Sequence, residues 1–116
     1  MVLVDNEVCG QYDGEADLID GDEEFAVVVS LTASVELLEV RTVGPHTTRM
    51  HGTVRWFGNV RDGLSKRQKE RLISKGVALR LPDGKVGRAS VIDMDGLLKG
   101  HDLPPFGDCH PGGPVP

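Results

Sequence analysis

No apolar run in this 116-residue chain approaches the roughly 20 residues a membrane-spanning helix needs, so no such span is expected. The opening MVLVDNEV is too short and too acidic for a secretory signal, and a cytoplasmic location is the resulting expectation. Cysteine is scarce: Cys9 and Cys109 stand a hundred residues apart. They could join if the chain ends meet, but a cytoplasmic chain keeps thiols reduced, so free thiols are expected. The four histidines (His46, His51, His101, His110) show no zinc-type spacing with one another or with the cysteines, and no metal is expected. There is no Cys-x-x-Cys, no Gly-x-Ser-x-Gly elbow, no phosphate loop and no dinucleotide fingerprint, which leaves no sign of a cofactor.

Basic residues are missing from the first 24 positions, which carry nine acids from Asp5 to Glu24. The remainder holds the other nine acids and all thirteen bases, a balance of +4 within a net charge of −5. The overall acidity argues against nucleic acid, whose backbone demands a basic footprint. The acidic stretch suits a solvated segment that pairs with the basic remainder, or a docking surface for a basic partner.

Alternation dominates what is present. Phe25, Val27, Val29 and Leu31 fall on one side of a strand, with the smaller Ala26, Val28, Ser30 and Thr32 on the other. Asp20-Gly21 supplies the turn that joins this strand to 15–19. Residues 1–12 either add an edge strand or stay mobile. The strand from 25 continues toward 43 until Gly44-Pro45 ends it. In 49–60 simple alternation places Met50, Gly52, Val54, Trp56 and Gly58 on one face, and His51, Thr53, Arg55 and Phe57 on the other. The segment 63–76 predicts the single helix, with Ser65 as N-cap and Gly76 as C-terminal stop; its thin apolar stripe suits a sheet edge or barrel mouth. Its basic face would meet the acidic segment or an anionic partner. Residues 77–81 and 86–96 form a second hairpin around PDGK, 97–103 a last short strand, and the proline-rich end a tail.

The whole reads as a mainly β protein: a small antiparallel β-barrel of six or seven strands with one α-helix inserted between the fourth and fifth strands. Its expected divisions are an acidic N-terminal arm (1–11), the barrel domain (12–106) and a Pro/Gly-rich tail (107–116).

Tyr12 and Gly14, then Trp56-Phe57-Gly58, then Gly84, then Gly100 with Pro104-Pro105-Phe106 follow one another in an order that resembles an actinobacterial domain family of unknown function. Its members are small standalone proteins or are appended to flavin-dependent monooxygenases. The match spans most of 12–106. Arg55 and Phe57 depart from the family's His-Trp-Tyr-Gly, and IDMDG (92–96) replaces its Asp-Pro-Trp segment. The resemblance implies a fold, a place in actinobacterial oxidative or biosynthetic metabolism, and a flavin-dependent monooxygenase as a partner.

Trp56 and Phe57 are neighbours in a strand, so they face opposite ways and cannot share one core. Trp56 fits a plug of the barrel or, with Phe57, Tyr12 and Met50, a surface for a small apolar molecule. His51 with Arg55 and Arg49 would form an acid–base and oxyanion-binding pair if their face lines the lumen. Outside it they are solvated. Three readings follow: a barrel that binds an apolar metabolite or docks on a monooxygenase; a cofactor-free isomerase or cyclase acting on a polyketide-like substrate; and a structural or oligomerising domain, a homodimer included.

Overall fold

The computed structural model describes residues 2–41, 44 and 46–112. Six antiparallel strands and one helix follow in the order β1 (Val2–Asp20), β2 (Glu23–Arg41), β3 (Thr47–Asp62), α1 (Lys66–Leu72), β4 (Gly76–Arg80), β5 (Val86–Val91) and β6 (Leu97–His101). Neighbours run β1-β2-β3-β6-β5-β4 and close into a barrel, the architecture that alternation implied. The helix comes after the third strand rather than the fourth, because residues 2–20 form one strand and not two. Residues 2–11 are therefore the first half of β1, paired with β2, and not a separate arm. Pro45 and residues 113–116, parts of the expected break and tail, lie outside the described residues. No helix among the described residues is long and apolar enough to cross a membrane.

The turns follow the chemistry of their residues. Gly21, at φ +61, opens the two-residue turn between β1 and β2, where a side chain would be strained. In the β4–β5 turn the Gly84 N–H donates to the Leu81 carbonyl at 2.9 Å. β5 ends at Val91, five residues earlier than expected, since the Asp93 carboxylate accepts from the N–H groups of Asp95 and Leu97 and turns the chain.

Ser65 caps α1 in a reciprocal box with Gln68. The helix stops at Leu72, short of Gly76; Ile73 leaves helical geometry and Ser74 takes the left-handed conformation at φ +65. Gly76 instead begins β4. Arg71 pairs with Glu23 at 2.6 Å and Lys75 with Asp20 at 3.6 Å, so the basic side of this segment meets the acidic N-terminal region of the same chain, as expected. These pairs lie at the surface, where solvent screens them.

The barrel closes through short contacts. β1 meets β4 over Asp17–Ile19, where Arg80 clamps Asp17 at 3.1 Å and Glu24 at 3.0 Å. β3 meets β6 over Phe57–Asn59. Leu18, Val29, Leu79, Val91 and Leu98 are fully buried inside. Beyond the barrel, β1, β2 and β3 run on as a three-stranded sheet. The molecule measures 58 × 26 × 21 Å, and its radius of gyration of 16.7 Å exceeds the roughly 13 Å of a compact chain this long. We call the protruding sheet the blade.

Residues 102–112 strap the inner face of the blade. The Asp108 N–H donates to the Cys9 carbonyl and the Gly112 N–H to the Gly52 carbonyl, each at 3.2 Å. Cys9 and Cys109 form a disulfide. Free thiols were expected from the cytoplasmic location; the strap instead brings the two ends together, with Cα atoms 5.3 Å apart. Only bare backbone fits at the crossing, where a Cβ on Gly10 would lie 2.8 Å from the Gly107 Cα.

Candidate functional site

The indole of Trp56 occupies the barrel interior. Trp56 is 2% exposed, and its Nε1–H donates to the His101 carbonyl at 3.3 Å. Phe106 packs against it edge-on, ring centroids 5.9 Å apart. A Cβ on Gly100 would sit 2.1 Å from the indole Cδ2, and one on Gly87 would sit 3.1 Å from Cζ2. Two strands thus forgo side chains so that the ring can lie flat against their backbones. Trp56 is a plug.

The expected grouping of His51 with Arg55 and Phe57 is not what the sheet makes. Val35 pairs with Val54 and Leu37 with His51, so β3 advances three residues while β2 advances two. This bulge moves His51 to the inner face beside Leu37, the same face as Val54 and Trp56, and Arg49 follows it. Met50 moves the other way, to the outer face opposite Leu38, away from Trp56. Arg55 and Phe57 stay outside, exposed. The candidate acid–base pair is therefore split between the two faces of one sheet.

His51 is largely enclosed. Among the described residues its Nε2 has no hydrogen-bond partner, and the nearest carboxylate oxygen, on Glu7, stands 3.7 Å away. A general acid or base must reach a substrate proton, and this nitrogen is shut off from solvent. Tyr12 lies on the inner face across from Leu31 and donates its hydroxyl hydrogen to the Glu15 carbonyl. Burial, with smaller contributions from Glu15 and Asp83, raises its pKa above the ordinary 10.0. It is a packing residue with an internally satisfied hydroxyl.

Two open grooves mark the surface. One of about 420 Å³ lies between Asp17, Val28, Asp62 and Arg80 on the barrel wall. The other, about 770 Å³, follows the β3 side of the blade past Leu38, Val54, Leu103 and Pro111. Neither is lined by His51, Arg49, Arg55 or Phe57. Ser90 and His101 hydrogen-bond at 2.7 Å on the outer wall, but no described carboxylate bonds to His101. Among the described residues, no cluster of three or more His, Cys, Asp or Glu could hold a metal.

The sequence singled out Phe57 and Met50 but not the apolar residues of β1 that stand exposed on the blade. Val2, Leu3, Val4 and Val8 are 45–64% exposed, and Phe57 is 52% exposed on the outer face of β3. Leu3, Leu38 and Met50 stand opposite one another as one row across its three strands. The signal was present in MVLV, an apolar run with no partner stripe nearby. Comparisons with family models, with curated proteins and with solved structures return no match for this chain.

Proposed function

We propose that the protein is a docking module: a closed, filled barrel that carries a three-stranded blade, through which it binds another polypeptide. The observation that supports this is the inversion of the usual arrangement. The lumen is packed around Trp56, while Leu3 and Val8 stay in water on the outer face of the blade, where Leu3 is followed across the strands by Leu38 and Met50. Exposed strands with free edges recognise partners by strand addition, in which backbone hydrogen bonds supply affinity and alternate side chains supply specificity. A flavin-dependent monooxygenase, the partner implied by the family resemblance, is one polypeptide the blade would serve. Binding of an apolar metabolite in the lumen and His51–Arg55 chemistry form no part of this proposal. Of the locations open to it, an oxidising compartment suits the paired cysteines better than the cytoplasm.

Photo-crosslinking in the organism of origin tests the reading. A photoactivatable residue replaces Leu3 on the blade in one variant and Val86, 55% exposed on the barrel, in another. Crosslinks to a polypeptide from position 3 and none from position 86 are the expected result. Equal labelling from both positions, or none from position 3, would overturn it.

A further inference from the structure

The docking reading leaves the partner open, and the charges of the blade's edges narrow it. Both outer strands of the blade lack a second neighbour. β1 meets β4 only at Asp17–Ile19, and β3 meets β6 only at Phe57–Asn59. The strap reaches β1 at Cys9 and β3 at Gly52, so Val2–Val8 and Thr47–His51 stay unpaired on their outer sides among the described residues. Unpaired strand edges are templates for another strand, and natural proteins guard them with proline, with charge or with bulges. Neither segment holds proline or lysine; β1 carries Asp5, Glu7 and a bulge between Leu3 and Asp5, which restrict the strands it accepts to ones of opposite charge.

The two edges carry opposite charge. Val2–Val8 holds Asp5 and Glu7 and no base; Thr47–His51 holds Arg49 and no acid. Glu7 already stands 3.7 Å from the enclosed His51 of its own chain, so Asp5 and Arg49 set the sign of each edge. Pairing β1 with a second β1 would bring Asp5 and Glu7 against their own copies. Pairing β3 with a second β3 would bring Arg49 against Arg49. Like charges on facing strands oppose pairing. Only β1 against β3 joins opposite signs. The apolar surface agrees with that choice: the row Leu3–Leu38–Met50 ends at both edges, so β1 of one copy laid along β3 of the next continues it.

Resting on the docking reading, we infer that the partner is a second copy of this chain, with Val2–Val8 of one molecule adding as a strand to Thr47–His51 of its neighbour. The interface is heterologous. Each molecule offers both edges, so the assembly grows into a ring or an open row rather than stopping at a two-fold dimer.

Charge reversal on each edge tests this in solution. One variant carries Asp5→Lys and Glu7→Lys; the other carries Thr47→Glu and Arg49→Glu, both within the β3 edge and on one face. Sedimentation velocity of the wild-type chain should show mass rising with concentration. Raising sodium chloride from about 0.05 M to about 0.5 M should weaken association on the order of tenfold, since exposed charges are screened over that range. Each variant alone should sediment as a monomer. Their equimolar mixture should associate, because every β1–β3 contact between unlike variants again joins opposite charges. Sole-tryptophan emission checks folding of both variants, and the wild-type salt series needs neither. A wild-type chain that stays monomeric at every concentration, variants that associate alone as the wild type does, or a mixture that stays monomeric would each overturn the inference. A monomeric wild-type chain whose position-3 crosslinker still captures a different polypeptide would leave the docking reading standing and remove only the second copy.

Discussion

Replacing Gly100 with alanine asks whether the barrel has any room left. The added Cβ would lie 2.1 Å from the Trp56 Cδ2 and Cε2 atoms and 2.3 Å from Nε1. Ordinary contact begins near 3.4 Å, so the ring would have to retreat by about 1.3 Å (3.4 − 2.1). It cannot do so freely, because Phe106 abuts it and Gly87 backs the Cζ2 edge. Overpacking of this kind costs about 1–3 kcal/mol, and a strained Trp56–His101 hydrogen bond adds about 1 kcal/mol. The expected loss of about 2–4 kcal/mol lowers the thermal midpoint of a domain this size by roughly 8–16 °C. Urea unfolding followed by tryptophan emission reads it directly, with Gly76→Ala as the control. A Cβ at Gly76 meets nothing within 4 Å, and that variant should stay within about 0.5 kcal/mol of the wild type. If Gly100→Ala were as stable as the control, the indole would have space beside it and the filled-lumen reasoning would fail.

Three further outcomes are expected. Replacing Cys9 and Cys109 together with serine opens a link across 100 residues, which the chain-entropy relation values at up to about 4.7 kcal/mol, with about 2–4 kcal/mol the common range; the urea midpoint should fall accordingly, and reduction of the wild-type protein should reproduce the fall. Ser65→Ala removes the cap on the Gln68 N–H and should cost about 1 kcal/mol, seen as a lower urea midpoint. Tyr12, the sole tyrosine, should ionise above 10.0 when its ultraviolet absorbance is titrated. Because its folded pKa is raised, the stability it contributes is whole below 10.0 and falls as pH rises through the folded value. Tyr12→Phe should therefore reduce the alkaline slope of stability, and an unchanged slope would contradict the desolvation argument.

The barrel was legible because its signals are local. Val27, Val29 and Leu31 alternate without interruption, Gly21 and Gly84 sit where turns need them, and Ser65 announces the helix. Reading Trp56 and Phe57 as facing opposite ways also held: one is buried, the other half exposed. The failures come from interactions between distant residues. The bulge between His51 and Val54 depends on how β3 meets β2 around Val35–Leu37, and one extra residue exchanges the faces of His51 and Met50. The disulfide depends on a strap whose route needs Gly10 and Gly107 to meet, a fact no local pattern carries. The free edges of the blade depend on where β4 and β6 stop, and those short strands reveal their length only once the barrel has closed.

The emission of the single tryptophan, recorded while apolar ligands such as aromatic polyketides are titrated in, tests most directly that the lumen is filled and that binding belongs to the blade. A short-wavelength spectrum that resists acrylamide quenching and does not change at saturating ligand is the expected result. A saturable shift or quenching on adding such a ligand would mean that a small molecule reaches Trp56, and the division between filled barrel and binding blade would be wrong.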